Sequence, residues 1–367
     1  MTISFRRRTW ISILLLVTPA LSAIPAPWRF ATAYLRTQLQ ALAVTEVTQL
    51  PSASPPIGPL HRSDDGQIEI TTPENRPNSS PACSPSAICV GSKQRLRSLR
   101  DALALARDGD VVEVEAGTYR ESDAIAQKGL TVRGVGGRPH FQCAGLKLPG
   151  SRACLFLGAA GITLENIEIS GAEDPTSAGG DAACIRNARG ANFTLRGVIC
   201  HGSQEGVASN GGAIVIEGSE FFDNGWSDAA HNGYFAGDCT LTIRGSIFRE
   251  ARVGTEFTSR CAKTVISDST FRNTKGTTAI EVPAGGDTMI YRSTIVKTPG
   301  ARRAEILSFA TECRYPGSMV LKDVRIINSR TDAEIQNHGA CVGHAIAFER
   351  VSIEGLAPKL LGDIRRE

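Results

Sequence analysis

The sequence predicts an all-β fold built as a parallel solenoid, and three observations carry the prediction. A degenerate repeat runs from about Leu130 to Ile353, clearest in Leu241-Thr-Ile-Arg-Gly-Ser-Ile-Phe248, Val265-Ile-Ser-Asp-Ser-Thr-Phe271 and Ile214-Val-Ile-Glu-Gly-Ser-Glu-Phe221. Inside each copy, apolar residues alternate with polar ones, which is the period of a strand and not of a helix. Val, Ile, Phe and Thr dominate these segments and suit a pleated, half-buried surface. Gly, Asn, Asp and Ser punctuate them and supply turns. No copy buries both of its faces alone, so neighbours must stack coil on coil. One apolar anchor per copy falls at Leu164, Leu195, Ile216, Ile243, Ile266, Ile290, Leu321 and Phe348. The intervals, roughly 20 to 30 residues, fit solenoid coils whose loops differ in length.

Taken from the start, the chain opens with Arg6-Arg7-Arg8, a short apolar run from Ile11 to Val17, then Pro19 and small residues near Ala23. Residues 1–23 therefore read as a secretory signal, and the apolar run is too short for a membrane span. Residues 24–91 are rich in Pro, Ser and Ala around Pro51-Ser-Ala-Ser-Pro-Pro-Ile-Gly-Pro59 and read as a linker or stalk, in which 28–42 has the pattern of a short helix. Leu96, Leu99, Leu103 and Ala106 then fall at helical spacing, and Asp108-Gly109 ends that helix. A helix over 95–107 would cap the open end of an apolar core, as a terminal coil requires. The solenoid itself is expected over 92–356, about ten coils, with 357–367 as a C-terminal tail.

Ten cysteines, at positions 83, 89, 143, 154, 184, 200, 239, 261, 313 and 341, all follow the signal. An even number in an exported chain argues for disulfides. Cys239 and Cys261 each lie shortly before a repeat anchor, so adjacent coils would stack them, and pairing sequential neighbours gives 83–89, 143–154, 184–200, 239–261 and 313–341. Neither a CxxC nor clustered Cys/His spacing occurs, so no metal site and no cofactor are expected; a calcium ion is compatible with the chain but not indicated. The formal charge is +3, from 40 basic and 37 acidic residues, and loss of the signal arginines leaves the mature chain about neutral. With no basic stripe interleaved with aromatics, nucleic acid is not an expected partner. The mature chain is expected to be an exported monomer, periplasmic or extracellular, with no transmembrane span.

The run Asp101-Ala-Leu-Ala-Leu-Ala-Arg-Asp-Gly-Asp110-Val-Val-Glu-Val-Glu-Ala-Gly-Thr-Tyr119, followed by Leu130-Thr-Val-Arg-Gly-Val-Gly136, resembles the opening of right-handed parallel β-helix proteins of the pectin-lyase superfamily. The resemblance covers roughly 92–356 and implies a single right-handed parallel β-helix with a short N-terminal capping helix. A narrower likeness, to exported bacterial β-helix proteins, rests on His231-Asn232-Gly-Tyr234, Ser259-Arg260 and Ile280-Glu281-Val-Pro283-Ala-Gly285-Gly286-Asp287. That subgroup commonly carries a Lys before the Ser-Arg pair and a His after the preceding Gly, where this chain has Thr258 and Thr255. The best-known superfamily chemistry is β-elimination on uronate polysaccharides with a Lys or Arg base, so the departure bears directly on mechanism.

The polar segments before the anchors should stack into another sheet. Counting nine residues back from anchors 216, 243, 266 and 290 lands on Val207, Tyr234, Phe257 and Glu281. His231, Arg260, Glu256 and Glu281 are thus candidate catalytic residues, and Asn232, Tyr234 and Asp287 candidate substrate contacts. An imidazole such as His231 exchanges protons near neutrality, and a guanidinium such as Arg260 clamps a carboxylate bidentately. Two carboxylates such as Glu256 and Glu281 can form an acid–base pair. Each has a structural alternative: His231 as a turn cap through Asn232, Arg260 as an ion pair with Glu256 or Glu281, the carboxylates as solvated face, Asp287 as a turn residue. His201 and His338 read as turn residues. The leading expectation is an exported protein acting on an acidic, uronate-containing polysaccharide or oligosaccharide by lyase-like cleavage. The alternative is a non-catalytic glycan-binding or structural β-helix.

Overall fold

In the computed structural model, the described residues are 83–149, 153–174, 181–340 and 342–366. The segments 1–23 and 24–82, the 28–42 helix and Cys341 lie outside them. The described chain coils through three faces, and every pairing between successive coils is parallel. The first two faces make one 20-stranded sheet, because the long strands Glu205–Glu217 and His231–Arg244 bend across the corner between them. The third face is a 10-stranded sheet.

The anchors chosen from sequence stand in a single column on the second face. Leu164 pairs with Leu195, and the register continues through Ile216, Ile243, Ile266, Ile290, Leu321 and Phe348. Ile216, Ile243, Ile266 and Ile290 are fully buried. A second column fills the third face: Phe141, Ile169, Cys200, Phe221, Phe248, Phe271, Ile295 and Ile326. Phe221, Phe248 and Phe271 stack face to face, at 4.8 and 5.3 Å between centroids. On the first face the inward row is Leu155, Ile185, Val207, Gly233, Phe257, Ile280 and Leu307. Gly233 is required there, since a Cβ would lie 2.7 Å from the Phe248 ring and 3.1 Å from Phe235. At roughly 1.5–3 kcal/mol for each fully buried side chain, these columns are the main stabilising term.

The Ser of the repeat motif has its own structural task. Ser219, Ser246, Ser269 and Ser293 are buried just past the corner between the second and third faces. The backbone N–H groups of Val198, Ser219, Ser246 and Ser269 each donate to the hydroxyl one coil further on, at 3.1–3.2 Å. Each hydroxyl donates in turn to a carbonyl two residues back. The residue before each Ser has positive φ, supplied by Gly218, Gly245, Asp268 and Arg292. Arg292 is an unfavourable choice for that conformation. Its guanidinium makes two bonds to Asp268, the equivalent residue of the preceding coil, at 2.8 and 2.7 Å.

The capping helix is shorter than the apolar spacing suggests. Helix α1 spans Leu99–Leu105, with the Ser98 hydroxyl accepting from the Asp101 N–H at its start and Leu99, Ala102 and Leu103 buried. Leu96 is instead bridged to Val90. The coil extends beyond the expected 92–356 at both ends. Ile88–Val90 pairs with Val111–Glu115, so the end of the expected linker is already strand. Lys359–Leu361 and Ile364–Arg366 pair with the preceding coil, so the expected tail is a further coil. The structure joins Cys83 to Cys89, Cys143 to Cys154, Cys184 to Cys200 and Cys239 to Cys261. Cys313 is also disulfide-bonded. No helix among the described residues is long and apolar enough to cross a membrane.

Candidate functional site

On the outside of the first face, the outward row reads Phe156, Arg186, Ala208, Tyr234, Thr258, Glu281 and Ser308. An open cleft of about 440 Å³ lies over its middle, lined among others by Arg186, Glu205, His231, Tyr234, Arg260 and Glu281. Strand alternation is broken where each of these strands begins. The His231 and Tyr234 rings stand side by side with centroids 4.8 Å apart, and the Thr255 and Thr258 hydroxyls lie 3.0 Å apart. The two residues between the members of each pair turn inward.

That irregularity decides which candidates reach the cleft. His231, Tyr234, Arg260 and Glu281 line it; Asn232, Glu256 and Asp287 do not. Asn232 and Glu256 are fully buried at the corner between the third and first faces. The Asn232 amide donates to Glu256 Oε2 at 2.6 Å, the Ala251 N–H to both carboxylate oxygens at 3.0 Å, and the Asn273 amide to Oε1 at 3.3 Å. Burial pushes Glu256 up to about 8, against the pull of those three donors. Lys297 lies one coil on, where burial pushes it down to about 7. Its amine donates to Asn273 Oδ1, Thr277 O and Glu305 O at 2.8, 2.7 and 2.9 Å. Glu256 and Asn232 therefore belong to an internal polar ladder. Asp287 is exposed on the second face, in register with Lys263. The expected Glu256–Glu281 acid–base pair is not assembled.

His231 is buried at the cleft wall, its Nδ1 3.5 Å from Glu205 Oε1. Arg186 holds Glu205 from the other side at 3.2 Å and the Asp181 carbonyl at 2.6 Å. Glu281 accepts from the Thr258 hydroxyl at 3.3 Å. Arg260 pairs through Nη1 with Glu312, not with Glu256 or Glu281. Three buried polar atoms of the cleft, His231 Nδ1, Arg186 Nε and Arg260 Nε, have no hydrogen-bond partner among the described residues. Buried polar atoms are nearly always paired, and all three of these belong to residues that line the cleft. Arg303 adds an exposed guanidinium at the rim, and Asp181 and Asp228 add acidic groups.

A model of the right-handed β-helix region matches residues 130–295. The chain has the fold of a right-handed parallel β-helix. Pectate lyase Pel9A matches with a TM-score of 0.53 and 14% identity over 74% of this chain and 77% of its own. Pectin methylesterase PemA from Erwinia chrysanthemi matches with a TM-score of 0.44 and 14% identity, over 60% of this chain and 81% of its own. A pectin methylesterase in complex with hexasaccharide VII gives the same TM-score of 0.44 and the same 14% identity, coverage being 60% and 81%. At these identities the likeness is one of fold. No curated protein matches this β-helix chain in sequence.

Arg186, Glu205 and Arg303 were not among the sequence candidates. Arg186 was within reach, because it stands nine residues before the anchor Leu195, as Tyr234 does before Ile243. Val207 and Phe257, reached by the same count, face the core instead. The outward residues there are Ala208 and Thr258, one place nearer their anchors. A one-residue slip moves a strand position to the other face.

Proposed function

We propose that the cleft binds an acidic, uronate-containing polysaccharide and cleaves it by β-elimination, with His231 as base. The observation that carries this reading is one open cleft lined by an imidazole, a phenol and two guanidinium groups, those of His231, Tyr234, Arg186 and Arg260. Arg260 lines the cleft with its Nη1 on Glu312, and a uronate carboxylate would take the place of that glutamate on the guanidinium. Neutralising that carboxylate acidifies the adjacent C–H. His231, backed by Glu205, removes the proton; the electron pair forms the C4–C5 double bond as the C4–O glycosidic bond breaks. The departing oxygen takes a proton from Tyr234, beside His231. Disulfides on consecutive coils favour export to an oxidising compartment.

A second reading, a non-catalytic glycan-binding β-helix, is favoured by Thr258, which stands on the outward row between Tyr234 and Glu281 where the related subgroup carries a basic residue. One experiment separates the two. The purified chain is incubated with a panel of acidic polysaccharides, and unsaturated-product absorbance and reducing ends are read separately. Lyase action raises both signals. Arg260→Ala should lose most of the activity with little change in melting temperature, and His231→Ala should lose the dependence on pH near neutrality. Full activity in both variants would place the reaction elsewhere. Binding without cleavage, weakened in both variants, would support the second reading. Neither cleavage nor binding would reduce the cleft to a solvated surface.

A further inference from the structure

A separate cluster lies on the outside of the third face, on the 10-stranded sheet and away from the cleft. His140, Glu168 and His201 come from three consecutive coils: His140 is in register with Glu168, and Ser170 with His201. Both imidazoles converge on one carboxylate oxygen. His201 Nε2 is 3.0 Å from Glu168 Oε1, and His140 Nδ1 is 3.6 Å from the same atom. One potential ligand atom from each residue lies within 4.8 Å of the others. All three side chains are 20–30% exposed, enough to be reached by solvent yet held in place.

We propose that His140, Glu168 and His201 form a binding site for a divalent transition-metal ion of the zinc class. Zinc takes imidazole nitrogens and carboxylate oxygens at about 2.0–2.2 Å in tetrahedral geometry, which sets ligand atoms about 3.3 Å apart. The two separations from Glu168, 3.0 and 3.6 Å, bracket that value, and the two imidazole nitrogens lie within 4.8 Å of each other, so a bound ion would draw the histidines closer. Second contacts orient both imidazoles. His140 Nε2 is 2.7 Å from Ser170 Oγ, and Nδ1 lies toward Glu168 with the Gln142 amide 3.4 Å away; with the proton on Nε2, the serine is the outer partner that fixes a ligating histidine. His201 is stacked on Phe222 with centroids 4.9 Å apart and planes at 8°, and Arg249 covers the same Phe222 ring at 4.1 Å. Two nitrogens and one oxygen suit zinc, nickel or cobalt. Calcium is disfavoured, because it takes six to eight oxygen ligands. Three protein ligands leave a fourth position for water or an exogenous group. An ion here would tie three coils together and stabilise them by mass action.

The test uses the chelator-treated full chain, titrated with zinc sulfate in a calorimeter and checked by native mass spectrometry. One zinc ion per chain is expected, with a raised melting temperature and no comparable effect of calcium chloride. His140→Ala, His201→Ala and Glu168→Gln should each weaken zinc binding at least tenfold while the far-ultraviolet circular dichroism is unchanged. Ser170→Ala touches no ligand atom of the ion and should weaken binding about tenfold or more, as outer-shell deletions do. Cobalt should give visible absorption bands in the chain that are absent from His201→Ala. His231→Ala, on the other face, should bind zinc as the unaltered chain does. Absence of zinc binding at 100 µM metal would overturn the proposal. So would binding that survives His140→Ala and His201→Ala, or that is lost in His231→Ala. Should any ligand variant misfold, the cobalt spectrum of Ser170→Ala still decides, an unchanged spectrum and affinity counting against the site.

Discussion

Replacing Ser246 by Ala tests whether the serine ladder holds consecutive coils in register. The hydroxyl is fully buried; it accepts from the Ser219 N–H at 3.2 Å and donates to the Arg244 carbonyl at 2.9 Å. The two bonds are not equivalent. The Arg244 carbonyl also accepts from the Gly218 N–H at 3.0 Å, so it keeps a partner when the hydroxyl is gone. The Ser219 N–H has no such second acceptor and would be left buried and unpaired. An orphaned buried donor costs about 1–3 kcal/mol, and loss of one oxygen atom from the side chain opens no cavity of consequence. For a domain of this size the melting temperature should fall by about 2–10 °C. Thermal unfolding followed by circular dichroism measures the shift, and hydrogen exchange of the Ser219 amide localises it, since that N–H should lose protection while the Ile243 amide keeps it. Ser352→Ala, at an exposed strand position, should stay within about 0.5 kcal/mol of the unaltered chain. If Ser246→Ala melts with Ser352→Ala and the Ser219 amide stays protected, the ladder bonds contribute nothing net and coil register rests on the apolar columns alone.

The column itself is tested at Ile243, fully buried between Ile216 and Ile266. Ile243→Val should cost about 0.5–1.5 kcal/mol by chemical denaturation, whereas Ile243→Lys, which buries an unpaired charge, should prevent folding or lose several kcal/mol; equal stabilities for the two would contradict a continuous core. At Lys297, pushed down to about 7 by burial, the folded chain binds fewer protons than the unfolded chain between about 7 and 10.5, so this residue's contribution rises with pH across that window and is lost as pH falls through it. The stability advantage of the unaltered chain over Lys297→Met should therefore grow by up to about 1.4 kcal/mol per pH unit from pH 7 to 9, and a difference independent of pH in urea titrations would refute the assignment.

The fold was legible because it depends on a pattern that stacking amplifies. A strand position repeats every second residue, and the requirement to bury it is identical in each coil. The eight anchors from Leu164 to Phe348 therefore stand in one column even though the loops between them differ in length. The Ser of the motif was visible as a recurring letter, but its hydrogen-bond task was not, because its partner is a backbone N–H one coil away. The ends were misjudged for a related reason. Terminal coils have one neighbour instead of two, so Ile88–Val90 and Lys359–Arg366 need less apolar residue and read as linker and tail.

The cleft was harder to read than the core, and the difference is geometric. Anchors need only the period of their own strand, but cleft residues depend on how many residues span the corner between the first and second faces. That number changes by one between coils, which turns Thr258 outward while Phe257 points in, and carries Glu256 into the polar ladder with Asn232 and Lys297. A buried glutamate held by three donors and a glutamate at a cleft wall are not told apart by residue type: Glu256 and Glu281 each precede an inward or apolar strand residue, Phe257 and Val282. The same rule hides the His140, Glu168 and His201 cluster. A metal site on a helix or in a finger announces itself by short ligand spacing, whereas a solenoid brings ligands together from positions a whole coil apart. In this fold a site is therefore sought by aligning coils through their buried anchors and reading across the outward rows, with the corner length of each coil measured first.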